Sequence, residues 1–178
     1  MIRKFIQMLE KLASRSSFAI RKYCEPYETI VDKEIDLGSV KDEDVVLNVG
    51  CGSIPFTAIW LARKTNCDVI AIDTDKTAVR NAKRVIRKLG LQENVTIMRR
   101  SGTDTSDLAF DKALCALQVQ PLGKTLDALN EKASVLIVRR PFDSYATHYD
   151  VLPVNYRIKR SVPQKMKAFG SSDLVEKL

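Results

Sequence analysis

The sequence predicts an α/β fold in which a doubly wound, mostly parallel sheet of about seven strands carries helices on both faces. Short apolar runs alternate with segments of helical periodicity along most of the chain, and this alternation is typical of βαβ units. A glycine-containing turn at residues 48–52 follows the first apolar run. Right-handed crossovers between parallel strands then favour the doubly wound order.

The first part of the chain predicts helices. Apolar residues recur at helical spacing over residues 2–14, and a second helix is expected over residues 18–35 with an interruption near Pro26. We therefore expect residues 1–38 to form an N-terminal helical cap and residues 39–178 to form the α/β domain.

Five apolar runs predict buried parallel strands at residues 45–49, 69–72, 95–98, 113–117 and 135–138. The intervening periodic segments predict helices at residues 54–64, 75–89 and 122–132. Gly90 suits the C-cap of the second of these helices. Further on, residues 154–161 and 165–169 predict two antiparallel strands joined through Pro163 and Gln164.

Length and composition exclude several classes of protein. The 178 residues suffice for one α/β domain, and no apolar stretch reaches the length of a membrane span. The first ten residues carry charges throughout, unlike a signal peptide. The four cysteines lack CxxC spacing and His148 is the only histidine, so we expect reduced thiols, a cytoplasmic location and no metal site.

The formal net charge of +7 is compatible with a small-molecule or anionic acceptor, and also with RNA. Basic residues are frequent near the predicted final strands, at Arg139, Arg140, Arg157, Lys159, Arg160, Lys165 and Lys167. Two interpretations stay open for them: a solvated sheet edge protected by charge, or an anion-binding face.

The turn after the first strand is the main chemical signal. Gly50 and Gly52 allow the backbone to turn sharply and to approach a ligand closely. Asp73 ends the second strand, where a carboxylate can accept both hydroxyls of a ribose. In the G-x-G-x-x-G pattern counted from Gly50, Pro55 stands where the third glycine would be. This argues against NAD or FAD as the ligand. We expect Asp75 to cap the next helix.

These residues resemble the motifs of class I S-adenosylmethionine (SAM)-dependent methyltransferases. Val46 to Gly52 resembles the first motif, Ile72 to Asp75 the second and Ser101 to Asp104 the third. The resemblance covers residues 40 to about 140 and implies a Rossmann-like fold with SAM as cofactor. It implies cofactor contacts from Asn48, Gly50, Cys51, Gly52, Asp73, Thr74, Thr103, Asp104 and Leu117.

A narrower resemblance links the chain to nicotianamine synthases. Residues 50–59 are similar to their glycine-proline loop, and residues 136–140 to their fifth strand with its arginine. Glu28 and Glu34 match the acidic segment that precedes their core. Enzymes of that family transfer the aminocarboxypropyl arm of SAM onto an amine. That family has a larger helical region before the core, which indicates a shortened relative.

Three hypotheses for function follow. The first is methyl transfer from SAM to an unassigned acceptor, a displacement that needs alignment of donor and acceptor more than acid–base groups. The second is aminocarboxypropyl transfer, and the third is a non-catalytic SAM- or nucleotide-binding module that acts on RNA. A protonated amine acceptor would need a base, for which Glu28 and Glu34 are candidates. Gln118 and Gln120 are expected on the acceptor side.

Overall fold

The computed structural model describes residues 17–166 and 169–178, so the helix expected over residues 2–14 lies outside the described residues. In the described part the strands are β1 (Val45–Val49), β2 (Asp68–Asp73), β3 (Val95–Arg99), β4 (Lys112–Cys115), β5 (Val135–Pro141), β6 (Tyr156–Met166) and β7 (Phe169–Lys177). The helices there are α1 (Ser17–Gly38), α2 (Phe56–Thr65), α3 (Lys76–Leu89) and α4 (Leu122–Asn130), and a 3₁₀ helix spans Asp143–His148.

The seven strands of the described residues form one sheet in the order β3-β2-β1-β4-β5-β7-β6. Strands β1 to β5 run parallel, and β7 runs antiparallel to both β5 and β6. The winding reverses between β1 and β4, so the carboxyl ends of these two strands border the crevice in which ligands bind in this class of fold. The predicted doubly wound, mostly parallel α/β sheet is confirmed.

Buried side chains alternate between the two faces of the sheet. Val46 and Val69 belong to a core cluster with residues of α1, α2 and α3. Leu47 and Ile72 belong to a second cluster with α4, which contributes Leu126 among others. The sheet therefore carries helices on both faces, and none of the described helices has the length and apolarity to cross a membrane.

Helix α1 continues through Pro26, so the interruption expected there is wrong. Contacts with α2 on either side of the proline account for this. The indole Nε1–H of Trp60 donates to the carbonyl oxygen of Cys24 at 2.9 Å. The ring of Tyr27 stacks on that of Phe56 with the ring centres 4.0 Å apart. Packing against α2 thus supports the helix where proline removes a backbone donor.

The antiparallel hairpin exists, but its predicted bounds are wrong. Strand β6 runs through Pro163 and Gln164 to Met166, and β7 extends to Lys177. Proline is tolerated in β6 because this strand lies at the edge of the sheet. The free carbonyl oxygen of Pro163 accepts a hydrogen bond from Lys33 Nζ at 2.6 Å, which ties the edge strand to α1.

Candidate functional site

A cleft of about 280 Å³ opens at the carboxyl ends of the central strands. The turn after β1, the end of β2, the turn after β3 and the segment after β4 line it. This is the crevice that the topology predicts for a ligand, and its volume lies near the lower end of the usual range for small-molecule pockets.

The glycine turn, residues 50–52, forms the floor between β1 and α2. Gly50 and Gly52 have φ angles of 79° and 68°, in the left-handed region that favours glycine. The N–H groups of Gly50 and Cys51 both donate to the carbonyl oxygen of Ile72, at 2.9 and 3.0 Å. A Cβ on Gly50 would come within 3.2 Å of side-chain carbons of Ala116 and Val119. The turn therefore requires glycine at position 50 for both conformation and space.

Asp73 joins the glycine turn to the end of β2. Its Oδ2 accepts from the N–H of Gly52 at 2.9 Å, and its Oδ1 accepts from the N–H of Asp75 at 2.9 Å. Each carboxylate oxygen keeps capacity for a further donor. Asp75 caps α3, since its Oδ1 accepts from the N–H of Thr77 at 2.7 Å. The role expected for Asp75 is confirmed, and Thr74 lines the cleft between the two aspartates.

The turn after β3 brings the first half of the third motif to the cleft, two positions before the contacts expected at Thr103 and Asp104. Ser101 and Gly102 line the cleft, whereas Thr103 and Asp104 are exposed outside it. A Cβ on Gly102 would lie 2.6 Å from Thr125 Cγ2, so glycine allows this turn to pack against α4. The N–H of Thr103 donates to Ser101 Oγ at 3.2 Å.

Beyond β4 the lining residues are amides and small side chains. Gln118 and Gln120 border the cleft, as expected, while Leu117 is half-buried outside it. Gln120 Nε2 donates to Asp150 Oδ1 at 3.2 Å, and Asp150 Oδ2 accepts from the N–H of Leu122 at 2.8 Å. Asp150 thus satisfies a backbone donor at the start of α4 and orients Gln120 at the rim.

Two further predicted cofactor residues lie behind the turn. Asn48 is buried, and its Oδ1 has no hydrogen-bond partner among the described residues. Cys51 is also buried, and desolvation, followed by the negative charge of Asp73, raises the pKa of its thiol to about 12. Cys51 therefore stays protonated at neutral pH and does not serve as a nucleophile.

A buried ion pair connects the helices to the sheet beside the turn. Arg139 donates from Nε and Nη2 to the two carboxylate oxygens of Glu34 at 2.8 and 2.7 Å, and Nη2 also donates to Thr57 Oγ1 at 2.8 Å. Ser172 Oγ donates to Glu34 Oε1 at 2.6 Å. Burial lowers the pKa of Arg139, but the charge and hydrogen bonds of Glu34 outweigh it and raise the pKa overall. This cluster joins α1, α2, β5 and β7.

Glu28 lies elsewhere. Its carboxylate contacts Lys64 Nζ at 2.8 Å, and Asp32 contacts the same nitrogen at 2.8 Å. Hydrogen bonds to Asp32 and then to Glu28 raise the pKa of Lys64. Lys64 belongs to the last turn of α2, the end away from the glycine turn. Neither Glu28 nor Glu34 lines the cleft.

Among the lining residues that the sequence does not single out are Arg100 and Thr125. Ser101 lies two residues after the end of β3, in the stretch that resembles the third motif, at the edge where ligands bind. Arg100 also follows β3 and forms an ion pair with Asp107. Thr125 had no signal, because α4 brings it to the cleft from a distant part of the sequence.

The reversal of strand order, the glycine turn and the carboxylate at the end of β2 define a nucleotide-binding protein of the doubly wound α/β class. Residues 46–137, just over half of the chain, match the methyltransferase domain family. The chain belongs to that family.

Solved structures share the fold over most of the chain. MtNAS, a nicotianamine synthase crystallised with S-adenosylmethionine, has a TM-score of 0.84 at 19% identity, covering 98% of this chain and 72% of MtNAS. A complex of MtNAS with MTA and tNA gives 0.83 at 19% identity, with coverages of 96% and 69%. An RNA methyltransferase from Salinibacter ruber, crystallised with S-adenosyl-L-homocysteine, gives 0.64 at 18% identity, with coverages of 84% and 90%.

One curated relative matches by sequence. L-histidine 2-aminobutanoyltransferase of Yersinia pestis is 32% identical over 73 residues, which are 41% of this chain and 28% of the relative. The matched segment thus spans little more than a quarter of that relative.

Proposed function

We propose that the chain is a SAM-dependent transferase that holds SAM in the cleft beside the glycine turn. The observation that carries this proposal is the attachment of the turn to Asp73 through the N–H of Gly52 at 2.9 Å, at the point where the strand order reverses. This arrangement presents a carboxylate and an open stretch of backbone together, which are the groups that a nucleoside requires.

The donor set fits SAM. Asp73 retains acceptor capacity for the ribose hydroxyls, and the backbone at Gly52 leaves room for close approach. Asn48 Oδ1 is a buried acceptor without a donor, and a bound ammonium group or an ordered water would satisfy it. The turn at residues 101–104 would contact the adenine. Cys51, Thr74 and Leu117 stay predicted contacts.

Bound SAM would supply a sulfonium whose attached carbons are open to displacement. The residues of the chain would orient it and limit its contact with water. The Asp73 carboxylate and the glycine turn would fix the nucleoside, while Gln118 and Gln120 would present amide groups to the acceptor. Such a reaction depends on alignment more than on a strong acid or base.

For the transferred group, we favour the aminocarboxypropyl arm of SAM. The similarity to MtNAS extends beyond residues 46–137 into α1 and the β6–β7 hairpin. The Yersinia pestis relative is named for a 2-aminobutanoyl group, which has the same four-carbon amino-acid skeleton as that arm. Methyl transfer is the second candidate, supported by the family match over residues 46–137 and the similarity to an RNA methyltransferase.

Glu34 is the better placed of the two candidate bases. Through Arg139 it is linked to Thr57, which lies in the first turn of α2, five residues after Gly52. Glu28 instead contacts Lys64 at the far end of α2. A substitution of Glu34→Gln that leaves SAM affinity intact but removes the acidic limb of the pH–rate profile, where a general base becomes protonated, would support a role in proton transfer. Loss of thermal stability alone would assign Glu34 to structure.

The by-product of the reaction tests the proposal. The protein is incubated with SAM and a panel of amino acids and amines, and the nucleosides are identified by mass spectrometry against a protein-free control. Methylthioadenosine above the control indicates aminocarboxypropyl transfer, and S-adenosylhomocysteine indicates methyl transfer. Bound SAM without turnover favours the non-catalytic module. A thermal-shift assay that shows no stabilisation by SAM overturns the proposal, since a ligand that binds the native state must raise its stability.

A further inference from the structure

Helix α3 carries a basic face that the proposed transfer reaction does not use. Its fourteen residues include no aspartate or glutamate, and we define the basic face as the exposed residues Lys76, Arg80, Lys83, Arg84 and Arg87. At 3.6 residues per turn these five side chains fall within an arc of about 100°. The opposite side of α3 is buried in the core, as Val79 and Val85 show.

The charges of the basic face are not neutralised within the described chain. None of its five side chains forms an ion pair with another described residue. The basic residues of the C-terminal hairpin differ, because Arg140 pairs with Asp173, and Arg157 and Lys159 both pair with Glu176. Free positive charge is therefore arranged as a stripe on α3, whereas Arg139, Arg140, Arg157 and Lys159 of the final strands each pair with a carboxylate.

The stripe begins at the rim of the cleft. Asp75, which lines the cleft, caps the first turn of α3, and Lys76 follows it directly. From Lys76 to Arg87 the stripe extends roughly 16 Å along the helix axis. A bound polyanion would therefore lie with one end beside the SAM cleft.

We propose that the basic face binds the phosphodiester backbone of a nucleic acid. Three of its five residues are arginines, whose guanidinium groups match phosphate oxygens. The apolar side of α3 lies in the core, so α3 does not offer the buried apolar face by which amphipathic helices enter lipid. No exposed large apolar side chain of the described residues lies on α3. The surface is thus purely electrostatic, as contacts to a phosphate backbone are.

The chemistry predicts binding with steep salt dependence and weak sequence preference. Five phosphate contacts correspond to a slope of log K against log salt of about −4.5 for a duplex and about −3.5 for a single strand. Helix α3 contains no aromatic residue that could stack on a base. Contacts to phosphates carry no sequence information, so nucleic acids of different sequence should bind about equally.

Fluorescence anisotropy on the full chain tests this surface, with labelled RNA and DNA, single- and double-stranded, of one sequence. The variant Arg80→Gln/Arg87→Gln removes two charges from the basic face. The matched control Lys41→Gln/Arg160→Gln removes two charges from exposed residues elsewhere. We expect the first variant to lower affinity at least tenfold at about 0.1 M salt and to reduce the salt slope by about two, one for each lost contact.

The control variant should bind like the parent protein, and both variants should keep the parent melting temperature. A comparison of the affinities for single- and double-stranded RNA and DNA shows which nucleic acid the basic face prefers. Equal weakening in both variants, or no binding of any form, overturns the proposal. Tighter binding to phosphatidylserine vesicles or to polyglutamate than to nucleic acid also overturns it. The assay needs no SAM, so its failure is independent of the proposed transfer activity.

Discussion

Asp73 has a structural role and a proposed binding role. Its substitution, compared with a control variant, tests the binding role. Asp73→Ala removes the acceptors for Gly52 and Asp75 together with the proposed ribose contacts. Hydrogen bonds to a charged group contribute about 1.5–3 kcal/mol each, so we expect SAM affinity to fall at least tenfold in calorimetric titration.

The variant Asp111→Ala is the control, because Asp111 Oδ2 also accepts from a backbone N–H, that of Val45 at 2.8 Å, but Asp111 does not line the cleft. It should cost about 1–3 kcal/mol of stability and leave SAM affinity within a few-fold of the parent. Unchanged affinity in Asp73→Ala would contradict the assignment of the ribose site.

Gly50 provides a second test at single-residue resolution. Both Gly50 and Gly90 have positive φ angles, 79° and 68°, but a Cβ would meet Ala116 and Val119 only at Gly50. Alanine in the left-handed region costs roughly 1–2 kcal/mol at either position. We expect Gly50→Ala to lose more stability in urea than Gly90→Ala and to abolish the thermal shift with SAM. A similar loss of stability in both variants would show that contacts of a Cβ with Ala116 and Val119 do not matter at position 50.

Individual residues show which parts of the cleft can be predicted from the sequence. Gly50, Gly52, Asp73 and Thr74 line the cleft, because each follows a strand whose end the apolar pattern defines. Asp104 lies outside it, since a strand end does not determine which of the next residues turns inward. Contacts of these residues with SAM stay predictions.

Among the elements, α1 depends most on one buried interaction. Glu34 and Arg139 are both largely removed from solvent, with side-chain exposures of 0% and 10%. Removal of one partner from a buried pair typically costs about 3–5 kcal/mol, whereas replacement of both by apolar residues costs far less. We expect Glu34→Leu alone to destabilise the protein strongly in urea unfolding, and Glu34→Leu/Arg139→Met to recover much of that loss.

The pair Arg157–Glu176 is the control, because Arg157 is 66% exposed. Arg157→Met should change stability by less than about 1 kcal/mol, as is usual for a solvated pair. A double-mutant cycle for Glu34 and Arg139 with a coupling energy near zero would contradict the structural role of the cluster.

The sequence predicts elements well where burial is apolar and poorly where it is polar. Strands β1 to β5 consist mainly of apolar residues, although β1 also buries Asn48, so their positions are predicted closely. Strand β7 contains Ser172 and Asp173, both 0% exposed, and these conceal its alternating pattern. Their partners Glu34 and Arg140 are distant in sequence, and a local pattern carries no information about such pairs.

At the scale of the whole molecule, buried thiols make the free energy of unfolding depend on pH in the alkaline range. All four cysteines are buried and free. Burial raises the pKa of Cys24 to about 11, and the pKa values of Cys51 and Cys115 to about 12, from an ordinary value of 9.0. The unfolded chain therefore loses these protons first as the pH rises above about 9, and the free energy of unfolding must then fall.

We expect urea unfolding at about pH 8, 9 and 10 to show constant stability up to about pH 9 and a decline above it. Thiol reagents should modify the native protein slowly and the unfolded protein fully. A Cys24→Ala variant should show a shallower alkaline decline than the parent. Stability that rises between about pH 9 and 10 would contradict the burial of these thiols.

The sheet order has a consequence for biosynthesis. Strand β7 follows the other six strands in the sequence, yet it lies between β5 and β6. While the ribosome still shields residues 169–177, β5 has an open hydrogen-bonding edge and β6 has no neighbour. The nascent chain can therefore close its sheet only after this segment emerges, and until then the edge of β5 is accessible to chaperones or to another nascent chain.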